Sequence, residues 1–374
     1  MDPLSVFDEG MKVFGAPGRY VQGPGVLDRL GGFVAQLGPS AVLVADSGVL
    51  PLIEGRIRTS CRAAGVALSL LPFAGQIDAG AVAALDAALG DASPSTVVAA
   101  GGGRAIDAGK ALADRRRLSL VTVPTVASND APTSKNYVLY DARGHLAEVR
   151  HLRRSPDFVV VDATLLAGAP KAMFAAGLGD ALSKRAEAEA CAAGRGTTMF
   201  LSRPPLLAGV IARASYETLL AHGAAAYDAA GTGLANPAFE AAVEAMILMA
   251  GLGFESGGLS IPHALTRGLP LLPGGAAAPH GFEVAYGLLV HLRLLGETPP
   301  PALLALYRHA GLPLGLRALT GHPVGAAGMR AVAEATISVR HVLNFPRPLV
   351  AADIAAAMTA VEAAAAAETE EIQS

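Results

Sequence analysis

The chain has 374 residues, a net charge of −3 from 29 Lys and Arg against 32 Asp and Glu, 52% hydrophobic residues and 16% charged ones. That composition excludes an intrinsically disordered chain, and its near-neutral balance argues against a nucleic-acid binder, which carries a basic field. The two cysteines, Cys61 and Cys191, lie too far apart in sequence to read as a disulfide framework or a thiolate zinc knuckle, and they point to a reducing compartment.

The length predicts two or three domains. The start, Met1 to Ser5, lacks a basic region followed by an apolar core, so no signal peptide is read and a soluble cytoplasmic protein is expected. Apolar stretches such as Ala245 to Phe254 fall short of the ~20 residues a membrane span needs, so no membrane partner is expected. Ala41 to Asp46 is a β-branched run ending in a carboxylate and reads as a buried parallel strand. A helix is expected from Pro51 to Ala64, a strand from Val66 to Leu71, a turn at Pro72 to Gly75 and a helix from Ala81 to Leu89. Thr96 to Ala100 reads as a strand running into Gly101, Gly102 and Gly103, followed by a helix over Asp107 to Asp114 and a strand over Ser119 to Val123. Strands alternating with helices indicate an α/β fold, a parallel sheet wrapped by helices.

Two further strands are expected at Tyr137 to Tyr140 and Phe158 to Val161, with a turn at Asp141 to Gly144 between them. After Thr164 strand-like runs nearly vanish, and helical patterns cover Ala176 to Ala193, Pro204 to Tyr227 and Pro237 to Gly251. This predicts an α/β domain over residues 1–165 and an all-helical domain over 166–374. Ala355 to Ala367 reads as an alanine helix, and the acidic tail from Glu368 to Ser374 as solvated and frayed.

Two places carry chemistry. The segment Gly101 to Lys110 joins a strand to a helix, where glycines let the backbone approach a pyrophosphate and helix amides offer partial positive charge. A plain tight turn is the alternative. Asp46 ends the upstream strand and suits the hydroxyls of an adenosine ribose, favouring NAD over NADP; a helix N-cap is the alternative. The other place is a dispersed set: Asp180, His263 and His280, one carboxylate and two imidazoles, a ligand set suited to zinc with an open position. The remaining histidines are read as surface or core residues.

The blocks Phe14–Gly25, Gly101–Lys110, Pro124–Ser134, Ala175–Leu182, Gly253–Leu259 and His280–Gly287 resemble the glycerol dehydrogenases, within the metal-dependent group III alcohol dehydrogenases and the wider dehydroquinate-synthase-like fold. The resemblance runs from Phe14 to about Ala335. It implies a nucleotide-binding domain, a helical domain and an active site in the cleft between them. It places Asp46 on the adenosine ribose, Gly102 and Gly103 on the pyrophosphate, and Thr125, Ser128, Ser134, Asn136 and Tyr140 around the rest of an NAD site. Asp130 falls at the substrate-hydroxyl position, and Asp180, His263 and His280 at the zinc positions. Relatives of the iron type carry a histidine four residues after the metal aspartate; here that residue is Lys184. Three protein ligands and Zn²⁺ rather than Fe²⁺ are therefore expected. The implied reaction is hydride transfer from a small polyol to NAD, by a homo-oligomer.

The chain departs from the family pattern at Arg104, Lys135, Asn136, Lys184, Thr266 and Arg267. Only five lysines exist, and Lys135 and Lys184 both fall beside site motifs. Either Lys135, Lys184 and Arg267 point to solvent or to a subunit contact or pair with nearby acids, or Lys135 and Lys184 join Asp130 and His263 in binding substrate, which would suit a phosphorylated or carboxylated polyol. A cyclase of the dehydroquinate-synthase type and a non-catalytic relative are the other functions considered.

Overall fold

The structure is a computed structural model and describes residues 3–141 and 146–373. Its chain forms two compact units. The first comprises Met1–Val6, Gly15–Phe174 and Ala229–Gly251, and the second Phe7–Phe14, Ala175–Asp228 and Leu252–Ser374. These units do not follow a single cut at residue 165. The segment 229–251, expected in the helical domain, packs with the first unit instead. A specific bond accounts for part of this: Thr133 Oγ1 donates to the Ile247 carbonyl at 2.6 Å. Ile247 sits in a π-helical turn, Ala245–Met249, within the helical run 237–257.

In the first unit, the strands are β1 (Arg19–Gly23), β2 (Ser40–Asp46), β3 (Ala67–Phe73), β4 (Thr96–Gly101), β5 (Ser119–Pro124), β6 (Asn136–Tyr140), β7 (Leu146–His151) and β8 (Phe158–Asp162). Six of them form one sheet in the order β1-β8-β5-β4-β2-β3, with every pair parallel. β6 and β7 form a separate antiparallel pair. The β-branched runs alternate sides. Leu43 and Val98 join a core with Ile53 and Ile57 on one face, while Val44 and Val97 join a core with Leu85 and Leu112 on the other. Both faces are covered, as a parallel sheet requires. From β2 the chain moves outward to β3, and from β4 it moves the opposite way to β5. The switch point therefore lies between the carboxyl ends of β2 and β4, the crevice where open α/β sheets bind ligands.

The strands expected from sequence are present within one or two residues at their starts; β3 extends through Phe73, into the segment read as a turn. The turn expected at Asp141–Gly144 lies mostly outside the described residues. β1 and β7 were not expected.

Described residues of the second unit form no strand, only an isolated bridge between Lys12 and Arg203. Its central helix, His280–Leu294, is buried from Glu283 through Leu292. The stretch 176–193 is broken at Ser183 into helices Lys171–Leu182 and Lys184–Ala193. Ser183 Oγ lies 2.8 Å from the Asp180 carbonyl and 2.9 Å from Glu187 Oε2. The final helix, Ala351–Gln373, continues through most of the acidic tail, so the backbone there is helical rather than frayed. The run 237–257 has 21 residues and is apolar enough to cross a membrane, longer than the stretch read from sequence; half of its most apolar window is buried inside the fold.

Candidate active site

The switch point is built from glycine. Gly101 ends β4 at φ +145°, and a Cβ there would stand 2.7 Å from Ala105 Cβ and 3.1 Å from Asp46 Cβ. Only a residue without a side chain lets β4 turn so closely past the end of β2. The helix Gly103–Arg116 starts at once, and its N-cap, Gly102, supplies no side-chain cap. Its first amides therefore point outward unsatisfied by a cap, the arrangement that accepts an anion. The Asp46 carboxylate accepts from the Gly48 amide at 2.8 Å. It is not the N-cap of the following helix, a place taken by Val49.

Beyond β5, the segment carrying Asp130 is pinned from below by Lys110. That ammonium is fully buried and donates to the Ala131 and Asn136 carbonyls, both at 2.6 Å. Asp107 Oδ1 lies 3.7 Å away. Burial pushes the Asp107 carboxyl up to about 6, against the pull of Lys110. Thr125 and Ser134 are buried, Ser128 and Tyr140 half-buried, and Thr125 Oγ1 has no hydrogen-bond partner among the described residues. Lys135 is also buried. Its ammonium donates to Asn136 Oδ1 at 3.1 Å and lies 3.4 Å from His151 Nδ1.

The second unit holds the dispersed set. Asp180, His263 and His280 each turn one ligand atom to a common point, all within 4.8 Å of one another. Two glycines make this possible. A Cβ on Gly179 would stand 2.3 Å from the Gly281 carbonyl oxygen, and one on Gly281 would stand 1.8 Å from the Ala176 carbonyl oxygen. Helices Lys171–Leu182 and His280–Leu294 therefore touch backbone to backbone, directly beside Asp180 and His280. His263 comes from the short helix Ile261–Leu265. Its Nδ1 lies 2.8 Å from Glu187 Oε2, while Glu187 Oε1 accepts from the Ser260 amide at 2.8 Å and the His263 amide at 3.3 Å. A carboxylate on Nδ1 fixes the ring and leaves Nε2 toward Asp180, the usual support for a metal-binding imidazole.

Lys184 enters the same point. Its ammonium donates to Asp180 Oδ1 at 2.7 Å and lies 3.1 Å from His263 Nε2 and 5.3 Å from the centre of the Phe254 ring. Burial alone would raise the Asp180 carboxyl, but Lys184 and His263 hold it well below the usual carboxylate range. Glu187, equally buried, is held down to about 2 by His263 and Lys184. Burial disfavours charge on His263, yet Glu187 and Asp180 push its imidazole up to about 9. Burial on the inner side of His280, with the charges of His263 and Lys184, pushes that ring down to about 4, although half of its side chain is open. One carboxylate and two imidazoles meeting on a shared point fit a divalent cation.

The sequence profile of the iron-containing alcohol dehydrogenases matches residues 17–163. The chain is 35% identical to a glycerol dehydrogenase of Escherichia coli O6:H1 over 87% of its own length and 89% of the relative's. The chain belongs to the iron-containing alcohol dehydrogenase family. A glycerol dehydrogenase of Pseudomonas putida is 37% identical over 85% of this alcohol dehydrogenase and 88% of that protein. The structure of the present chain superimposes on that of glycerol dehydrogenase from Schizosaccharomyces pombe with a TM-score of 0.91 at 29% identity, covering 98% of this chain and 94% of that one.

The structure thus brings together Asp180, His263, His280 and Lys184. Asp46 and the glycine turn meet at the switch point, with Asp130, Ser134 and Asn136 on the segment above Lys110. Lys135 and Lys184 do not face solvent, since both are buried; Lys184 instead pairs with a nearby acid, Asp180, and Arg267 is exposed. Sequence reasoning missed Glu187 and the anchoring role of Lys110. A signal for Glu187 existed: Asp180, Lys184 and Glu187 recur at helical spacing within an alanine-rich stretch, and charges sharing one face of an apolar helix are seldom buried unpaired.

Proposed function

We propose that this alcohol dehydrogenase oxidises a vicinal diol or polyol of the glycerol type with NAD, using Zn²⁺ held by Asp180, His263 and His280. The observation that carries this reading is the convergence of those three donors, with Glu187 orienting His263, in a chain whose relatives include several glycerol dehydrogenases. Zn²⁺ is favoured over Fe²⁺ because Lys184 stands where a fourth protein ligand would be needed. When bound, the divalent cation supplies Lewis acidity toward a substrate hydroxyl, and the nicotinamide supplies the hydride acceptor.

This chain's residues do the positioning. Asp46 accepts from the hydroxyls of the adenosine ribose and repels a 2′-phosphate. The amides at Gly102 and Gly103 take the pyrophosphate, and Thr125, Ser128, Ser134, Asn136 and Tyr140 line the remaining cofactor surface. Asp130, held by the segment that Lys110 anchors, accepts from a substrate hydroxyl. Lys135 and Lys184 complete the polar lining. The protein is read as a soluble, cytoplasmic homo-oligomer.

The test is NAD reduction at 340 nm with a panel of diols, glycerol and phosphorylated polyols, with metal content measured on the same sample. Turnover of neutral polyols with NAD in preference to NADP is expected. Turnover of phosphorylated polyols alone, or of none, would overturn the substrate assignment.

A further inference from the structure

The Lys184 ammonium stands against two of the three residues, Asp180 and His263, that with His280 would hold an ion. A zinc ion bonds a carboxylate oxygen and an imidazole nitrogen at roughly 2.0–2.2 Å. The ammonium stands 2.7 Å from Asp180 Oδ1 and 3.1 Å from His263 Nε2. His263 Nε2 has one lone pair to give, and an ammonium 3.1 Å in front of it stands where an ion bound to that nitrogen would have to sit. We propose that Lys184 is a resident counter-cation: it fills the divalent-metal seat of the metal-free enzyme and must swing away when the metal binds.

The inference rests on the reading of these donors as a metal site, and four features support it. Lys184 follows Asp180 by four residues, so the two side chains rise on one helical face despite the break at Ser183. Both side chains are almost wholly buried, at 1% and 3% exposure, so an uncompensated Asp180 would be costly. The ammonium rests over the Phe254 ring, a surface that favours a cation. A lysine also carries its charge on a flexible four-carbon stem, so it can leave without moving the backbone. The metal-free enzyme is then charge-balanced and ordered, at the expense of metal affinity. Metal binding becomes an exchange of one cation for another.

The test uses the whole chain stripped of metal by a chelator, with stripping verified by elemental analysis. Zn²⁺ is titrated against a competing chromophoric chelator for the native protein, Lys184→Met and Lys184→Ala. Both variants are expected to bind Zn²⁺ at least tenfold more tightly than the native protein. Metal-free variants should melt below the metal-free native protein, and Zn²⁺ should close most of that gap. Equal affinity in all three proteins would overturn the proposal while leaving the metal site intact. Failure of all three to bind Zn²⁺ would overturn the metal reading itself, and the proposal with it. Should the variants not fold, crystals of the native protein grown with and without Zn²⁺ decide. Lys184 Nζ within hydrogen-bond reach of Asp180 only when metal is absent supports the exchange; an unmoved Nζ beside bound Zn²⁺ refutes it.

Discussion

Replacing Lys110 by methionine tests how the Asp130 segment is held. The side chain has no exposed surface, and methionine keeps most of its volume. What is lost is the donor to two main-chain carbonyls, Ala131 and Asn136, each 2.6 Å from Nζ. Leaving a buried acceptor without its partner costs about 1–3 kcal/mol, and two such losses sum to about 2–6 kcal/mol. Asp107 adds little, because without the Lys110 charge its carboxyl, already near 6, rises further and becomes neutral at pH 7. Adding Asp107→Asn should therefore recover only a small part of the loss. In a chain of this size the deficit corresponds to a fall in Tm of roughly 3–8 °C. Hydrogen exchange should report faster labelling at residues 131–138 before other parts of the first unit. In kinetics, kcat should fall more than KM for NAD rises, since the glycine turn is untouched. A Tm unchanged within error, with native exchange at 131–138, would refute the anchoring argument.

Asp46→Ala is expected to raise KM for NAD roughly tenfold while improving use of NADP, read from initial rates with both cofactors; unaltered preference would remove Asp46 from the ribose site. His291 is buried, stacked edge-on against Phe345 at 5.3 Å, with neither ring nitrogen partnered among the described residues. Burial lowers its pKa to about 4, so the folded state binds fewer protons than the unfolded state between that value and 6.5. Its stabilising contribution, of order 3 kcal/mol, is present above pH 6.5 and is lost as pH falls toward 4. His291→Leu should flatten the decline of Tm over that window, and an identical pH profile would count against the assignment. Gly281→Ala forces a Cβ onto the Ala176 carbonyl, so the two helices must part. Tm should drop by several degrees and Zn²⁺ affinity at least tenfold, checked by thermal melting and chelator competition.

Much of the first unit was legible because its central strands are continuous runs of Val, Leu and Ala bounded by Gly and Pro. β1 and β7 escaped notice for the converse reason: Arg19–Gly23 is largely polar, and Leu146–His151 is exposed along nearly its whole length. The helical run 237–257 was visible as a pattern, but its first part packs with the first unit through contacts such as Thr133 to Ile247, which local sequence does not encode. The candidate metal set, Asp180, His263 and His280, was read from the resemblance and from ligand chemistry, since three donors spread over a hundred residues form no local pattern. Lys184 and Lys135 have near partners, Asp180 and Asn136, but are also packed against His263 and His151 from other elements, so their exposure could not be read from charge alone.

Glu187 holds the Ser260 and His263 amides with one oxygen and the His263 ring with the other. The start of a short helix and the aim of an imidazole are thus tied to a single carboxylate. The ring cannot tilt without loosening the turn beneath it, and the turn cannot fray without releasing the ring. When one cation replaces another in front of Nε2, the rear of the ring stays braced, so the exchange can proceed as a side-chain event with the surrounding chain standing still.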